Sequence, residues 1–187
     1  MVTHSRALLY RQLITLLVLT LCTMTGCSSQ QARVTLLSPV QPSPQQETVY
    51  ISPFASILVP EEFREPAFNQ FVDQLNAGRG QTDIKRFLIL KDELKDIDPA
   101  WLARQTYITG EIWSYIENSG CCQTELRIKS RIALFAPGST TPVAEISLPL
   151  ESFFDHDNSS LEAERQKLAT RMADELAAQV LILLRRK

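Results

Sequence analysis

Between residues 47 and 187 the spacing of apolar positions switches repeatedly between the two-residue period of a strand and the three-to-four-residue period of a helix, and each switch predicts an element. Thr48 to Phe54 (TVYISPF) is β-branched and aromatic and is closed by Pro53, as a buried first strand would be. Phe68, Phe71, Val72 and Leu75 fall at i, i+3, i+4 and i+7, one face of a helix with Pro66 near its first turn and Gly78 just past its end. The connector Gly78-Arg79-Gly80 leads to a run from Phe87 to Leu90 (FLIL), which predicts a second strand buried on both faces. Asp98-Pro99 carries the cap-then-proline signature of a short helix whose Trp101 and Leu102 would cover the sheet.

Three strand-like segments follow. From Tyr107 to Glu117 one face carries Ile108, Gly110, Ile112 and Ile116, and the other Glu111, Trp113, Tyr115 and Glu117. From Thr124 to Phe135 the inner set is Leu126, Ile128, Ile132 and Leu134, and the outer set is Glu125, Arg127, Lys129 and Arg131. A turn at Asn118-Ser119-Gly120 joins these two, and Pro137-Gly138 turns the chain into Val143 to Phe154, with Ala144, Ile146, Leu148 and Leu150 on one face. The three make an antiparallel meander. Ser159 and Glu162 then offer a capping box for a last helix. Its stripe of Leu161, Leu168, Met172, Leu176, Val180 and Leu183 reads as sheet-facing core, with Arg185, Arg186 and Lys187 complementing its carboxyl end. The expectation is one α/β (α+β) domain over 47–187, of order β-α-β-α-β-β-β-α, with a mixed sheet of about five strands and helices packed on it.

The amino-terminal end follows a different pattern. Arg6 and Arg11 precede an apolar run from Leu13 to Cys22 (LITLLVLTLC), too short to span about 30 Å of hydrocarbon but suited to a secretory signal. It ends at Met24-Thr25-Gly26-Cys27, which resembles the lipobox of bacterial lipoproteins, with Met24 where leucine is more usual. That resemblance implies a signal peptide over 1–26, removed after Gly26, and a lipid-modified Cys27; the alternative is a signal peptide that is simply cleaved. Acyl chains on Cys27 would make a stable anchor. Ser28, rather than aspartate, after the cysteine points to the outer membrane with the domain facing the periplasm. The stretch 27–46 is rich in Ser, Gln and Pro and reads as an extended tether reaching up to roughly 60 Å. Val34-Thr35-Leu36-Leu37 interrupts it, either as a docking strand or as an incidental cluster.

The first strand, the following helix and short strand, and then Tyr107-Ile108-Thr109-Gly110-Glu111-Ile112 opening a meander before a long final helix together resemble envelope domains akin to the amino-terminal domain of TolB. That group includes lipoprotein activators of peptidoglycan synthases and the periplasmic part of the curli secretion lipoprotein. The resemblance implies a domain that binds other envelope proteins or assembles into rings. It brings no catalytic motif, and this chain lacks the extra amphipathic hairpins a curli-type pore would need.

The chain has 19 basic and 21 acidic residues; without residues 1–26, which carry two arginines and no acid, 17 basic residues face 21 acidic ones. No basic excess remains to hold nucleic acid. Three cysteines follow the predicted cleavage point: Cys27 and the adjacent pair Cys121-Cys122. In an oxidising periplasm that pair reads as incidental or structural, as a vicinal or intermolecular disulfide, or as a redox or metal site. The metal reading is weak, since adjacent cysteines lack CxxC spacing and the sequence puts no histidine nearby. Asp155-His156-Asp157 is the one place after residue 26 for imidazole chemistry, as a general base or cation site, or as a solvated loop before the last helix. No Gly-rich phosphate loop or Gly-x-Ser-x-Gly elbow occurs. Arg127, Lys129 and Arg131 share an outer face with Trp113 and Tyr115, a combination found at protein interfaces, although cross-strand pairing with Glu111, Glu117, Glu145 and Glu151 would also account for the cations.

The sequence therefore predicts a non-catalytic lipoprotein that binds another envelope protein, with self-assembly into an export or surface apparatus as the alternative. Its candidate partner-binding residues are Trp113, Tyr115, Arg127, Lys129 and Arg131. No cofactor is implied beyond the covalent lipid on Cys27, and no metal site is assigned.

Overall fold

The computed structural model describes residues 31–39 and 47–185. Cys27, the signal peptide, residues 40–46 of the expected tether, and Arg186 and Lys187 lie outside the described residues.

Among the described residues seven strands and three α-helices follow in the order β1 (Arg33–Leu36), β2 (Thr48–Ile51), β3 (Ala55–Ser56), α1 (Glu61–Gly78), β4 (Arg86–Ile89), α2 (Pro99–Leu102), β5 (Thr106–Ser119), β6 (Gln123–Phe135), β7 (Ala144–Asp155) and α3 (Leu161–Leu183). The sheet runs β1-β7-β6-β5-β2-β4, and β3 also pairs with β5. Pairing is antiparallel among β1, β7, β6 and β5, and parallel where β2 meets β4 and β5. The expected mixed α+β sheet is present, with two more strands than the sequence pattern marks.

One addition is β1. Arg33–Leu36, inside the stretch expected to be tether, pairs with β7 from Ala144 to Ser147. The edge of β7 offers unpaired backbone groups, and the β-branched Val34 and Thr35 suit a ladder there. The second addition is β3, which resumes pairing with β5 after Ser52-Pro53-Phe54, so Pro53 interrupts the first strand without ending the segment. The run from Phe87 to Leu90 also departs from expectation. β4 lies at the sheet edge, where Phe87 is buried and Leu88 and Ile89 are exposed.

Helices α1 and α3 pack together and cover one face. Phe63, Ala67, Phe71, Val72 and Leu75 of α1 meet Leu168, Ala169, Met172, Ala173, Leu176, Ala177 and Val180 of α3 over Ile108, Ile112, Ile128, Ile132, Ile146, Leu148 and Leu150 of the meander. The stripe on α3 is thus core, as its spacing predicts. Pro66 lies well inside α1 rather than at its first turn. The cap of α3 lies one residue later than expected: Ser160 accepts from the Ala163 amide at 3.2 Å, while Ser159 donates to Glu164 at 2.7 Å. Helix α2, capped by Asp98, sits on the opposite face, where Trp101 meets Tyr50 edge-on at 4.9 Å.

Candidate binding face and hairpin tip

β5 does not keep one phase along its length. Its register with β6 shifts between Ile112 and Ser114, so Trp113 is an extra residue in the ladder. Such a bulge reverses which residues face the helices beyond it. Before it, Ile108, Gly110 and Ile112 point inward as expected. After it, Tyr115 and Glu117 turn to the helix side, and Ile116 turns outward.

This corrects the placement of Tyr115. Its ring packs on Phe63 at 5.3 Å, and its hydroxyl accepts from Arg165 Nε at 3.1 Å and donates to Glu117 Oε2 at 3.3 Å. Arg165 also pairs with Glu117 at 2.6 Å. Burial raises the Tyr115 hydroxyl above its usual pKa, against the lowering effect of Arg165. Tyr115 is a strut between β5 and α3, and the outer face retains the other four predicted residues.

On that outer face Trp113 is 57% exposed, with Lys129 Nζ 5.1 Å from its ring centroid. Arg131 bridges across to Glu111 at 2.8 Å, the cross-strand pairing the sequence suggests. Arg127 instead bonds along its own strand to Glu125 at 2.7 Å, which raises its pKa and keeps the guanidinium charged. Glu117 is on the other side of the sheet and takes no part. Two apolar side chains not assigned from the sequence complete the surface: Ile116, 47% exposed, and Phe153, 66% exposed, which lie in register with Arg127 and Glu125 respectively. Helix α2 covers Tyr50 and leaves Trp113 open. The alternation of β7 carries a signal for Phe153, since it falls opposite in phase to Leu148 and Leu150; the position of Ile116 depends on the bulge.

Beyond this face, the β5–β6 hairpin ends in a tip that differs from the predicted turn. Pairing continues to Ser119↔Thr124, and Gly120 N–H donates to the Gln123 carbonyl at 2.8 Å, so the turn consists of Cys121 and Cys122 themselves. Both are free and exposed, with sulfurs 3.3 Å apart. The histidine that is distant in sequence lies beside them: His156 N–H donates to the Cys122 carbonyl at 2.9 Å, and its Nε2 meets the Thr124 hydroxyl at 2.8 Å. Asp155 is engaged by Gln123 at 2.6 Å and by Asn158, so it does not orient the imidazole as a general base. Among the described residues no group of three or more His, Cys, Asp or Glu side chains is arranged to hold a metal ion. No described helix is long and apolar enough to cross a membrane.

No family model matches the sequence, and no curated protein sequence matches it. Solved structures do resemble the fold. The PelC dodecamer from Paraburkholderia phytofirmans aligns over 84% of this chain and 100% of its own, at 14% identity and a TM-score of 0.53. A point variant of that dodecamer aligns with the same coverage, at 13% identity and a TM-score of 0.50. A minor lipoprotein from Acinetobacter baumannii aligns over 74% of this chain and 90% of its own, at 11% identity and a TM-score of 0.38. What the two PelC structures share with the chain is a fold.

Proposed function

We propose that this protein is a non-catalytic lipoprotein of the bacterial envelope that binds another envelope protein through the outer face of β5–β7. The observation that carries this reading is the uncovered surface of Trp113, Ile116 and Phe153 beside Arg127 and Lys129. Exposed aromatics and aliphatics interleaved with arginine are the composition of an interface core, and a face this apolar is unusual without a partner. The lipobox-like Met24-Thr25-Gly26-Cys27 and the resemblance to TolB-like envelope domains support an anchored envelope location. Ser28 favours the outer membrane. With β1 starting at Arg33, five residues separate it from Cys27, so a Cys27 anchor would hold the start of β1 within about 20 Å of the membrane. That distance is far shorter than the reach of an unpacked 27–46 tether.

A second reading is self-assembly. The sheet has open edges at β4 and β1, and among the described residues β7 has no strand on its β1 side beyond Ser147, so backbone pairing between copies is available. The protein of similar fold described above is a dodecamer. Cross-linking in intact cells, with the native chain compared against Cys27→Ala, tests both. Adducts with one other envelope protein that disappear without the anchor support the adaptor. Adducts made only of copies of this chain support the assembly.

A further inference from the structure

We propose that the Cys121–Cys122 pair is a redox-active dithiol that exchanges with low-molecular-weight disulfides, cycling between two free thiols and one intrachain disulfide. The two thiols are exposed, so they contribute little to packing, and a soluble disulfide can reach them. Their sulfurs already touch at 3.3 Å, which makes the second step of exchange intramolecular. The turn that presents them is fixed by the Gly120-to-Gln123 bond and by the His156 bond to the Cys122 carbonyl, so the pair is held at the tip.

Cys122 holds its proton more tightly than a free thiol does, through the hydrogen bond with Cys121, then burial, then the negative charge of Asp155. Either exposed thiol can make the first attack. When it is Cys121, its thiolate attacks one sulfur of the disulfide RSSR, forming a Cys121–SR bond as the S–S bond breaks and RS⁻ departs. Cys122 then gives its proton to water, and its thiolate attacks the Cys121 sulfur, expelling the second RS⁻. Two thiols of the protein are oxidised by two electrons, RSSR is reduced, and each departing thiolate takes up a proton to give two RSH.

The test treats the full, reduced chain with oxidised glutathione and analyses the tryptic peptide that carries both cysteines by mass. The expected product has lost two hydrogens and retains no glutathione, and dithiothreitol returns it to the dithiol. Cys122→Ser retains one glutathione on Cys121, and Cys121→Ser retains one on Cys122. A native peptide that stays reduced, retains two glutathiones, or joins a second chain overturns the proposal.

Discussion

Gly110, in the segment Tyr107-Ile108-Thr109-Gly110-Glu111-Ile112, occupies a position on the helix side of β5 where a methyl group has no room. A Cβ there would lie 2.3 and 2.4 Å from two ring carbons of Phe54 and 3.0 Å from Ile132 Cδ1, whereas ordinary contact begins near 3.4 Å. The ring would have to retreat by about 1 Å, but it is wedged against Phe68 and Phe71, each with a centroid distance of 5.3 Å. Overpacking of this kind costs about 1–3 kcal/mol. Replacing glycine by alanine also restricts the unfolded chain, which offsets about 0.4–1 kcal/mol. Gly110→Ala should therefore lose about 1–2 kcal/mol in a urea melt at unchanged m-value, a fall in Tm of roughly 2–8 °C for a domain of this size. Trimming the ring should relieve the clash, so Phe54→Leu combined with Gly110→Ala should be less destabilised than the two single changes together, by about 0.5 kcal/mol or more. A Gly110→Ala protein that melts with the native chain, or strict additivity in the double variant, would refute the close approach of Phe54 to β5.

Other expectations follow from the same contacts. Trp113→Ala should change unfolding free energy by no more than about 1 kcal/mol, since the ring is exposed and its cation–π contact is worth about that, while reducing partner capture about tenfold or more. Ser160→Ala should lose about 0.5–2 kcal/mol in chemical denaturation, because it removes the side-chain acceptor at the start of α3. Glu164 is held below its ordinary pKa of 4.5 by hydrogen bonds from Lys167 first and from Ser159 and Ser152, so its ionised form stabilises the fold above about pH 4.5, and that stabilisation disappears as the pH falls through the folded value. The stability gap between the native chain and Glu164→Gln, followed by pH-dependent melts, should therefore shrink on acidification; a constant gap would contradict the assignment.

The sheet meander and both long helices are legible because one buried face imposes a single period over ten or more residues, as in Leu126, Ile128, Ile132 and Leu134 or in the α3 stripe. What escapes the pattern depends on partners remote in sequence. Tyr115 and Glu117 are amphipathic enough to suit either face, and only Arg165 on α3 gives them an inward role. The extra residue at Trp113 leaves the composition of β5 strand-like throughout, so the bulge is silent. β4 looks doubly buried because its residues are apolar, yet its place at the edge is a matter of strand order. Likewise β1 is so short that Val34 to Leu37 reads equally as a docking strand or an incidental cluster, and it is a strand because β7 offers it an edge. The meeting of Cys121 and Cys122 with His156 follows from the β6–β7 register, in which Gln123 pairs with Asp155. The lipobox-like run Met24 to Cys27, by contrast, is entirely a property of sequence, and Cys27 lies outside the described residues.

The most direct test of the protein-binding reading replaces Trp113 with benzoyl-phenylalanine, irradiates intact cells and compares the adducts with those from the same probe at Gln166 on the exposed side of α3. The expected result is an adduct with one other envelope protein from position 113 and none from position 166. No adduct from position 113, or the same adducts from both positions, would contradict it.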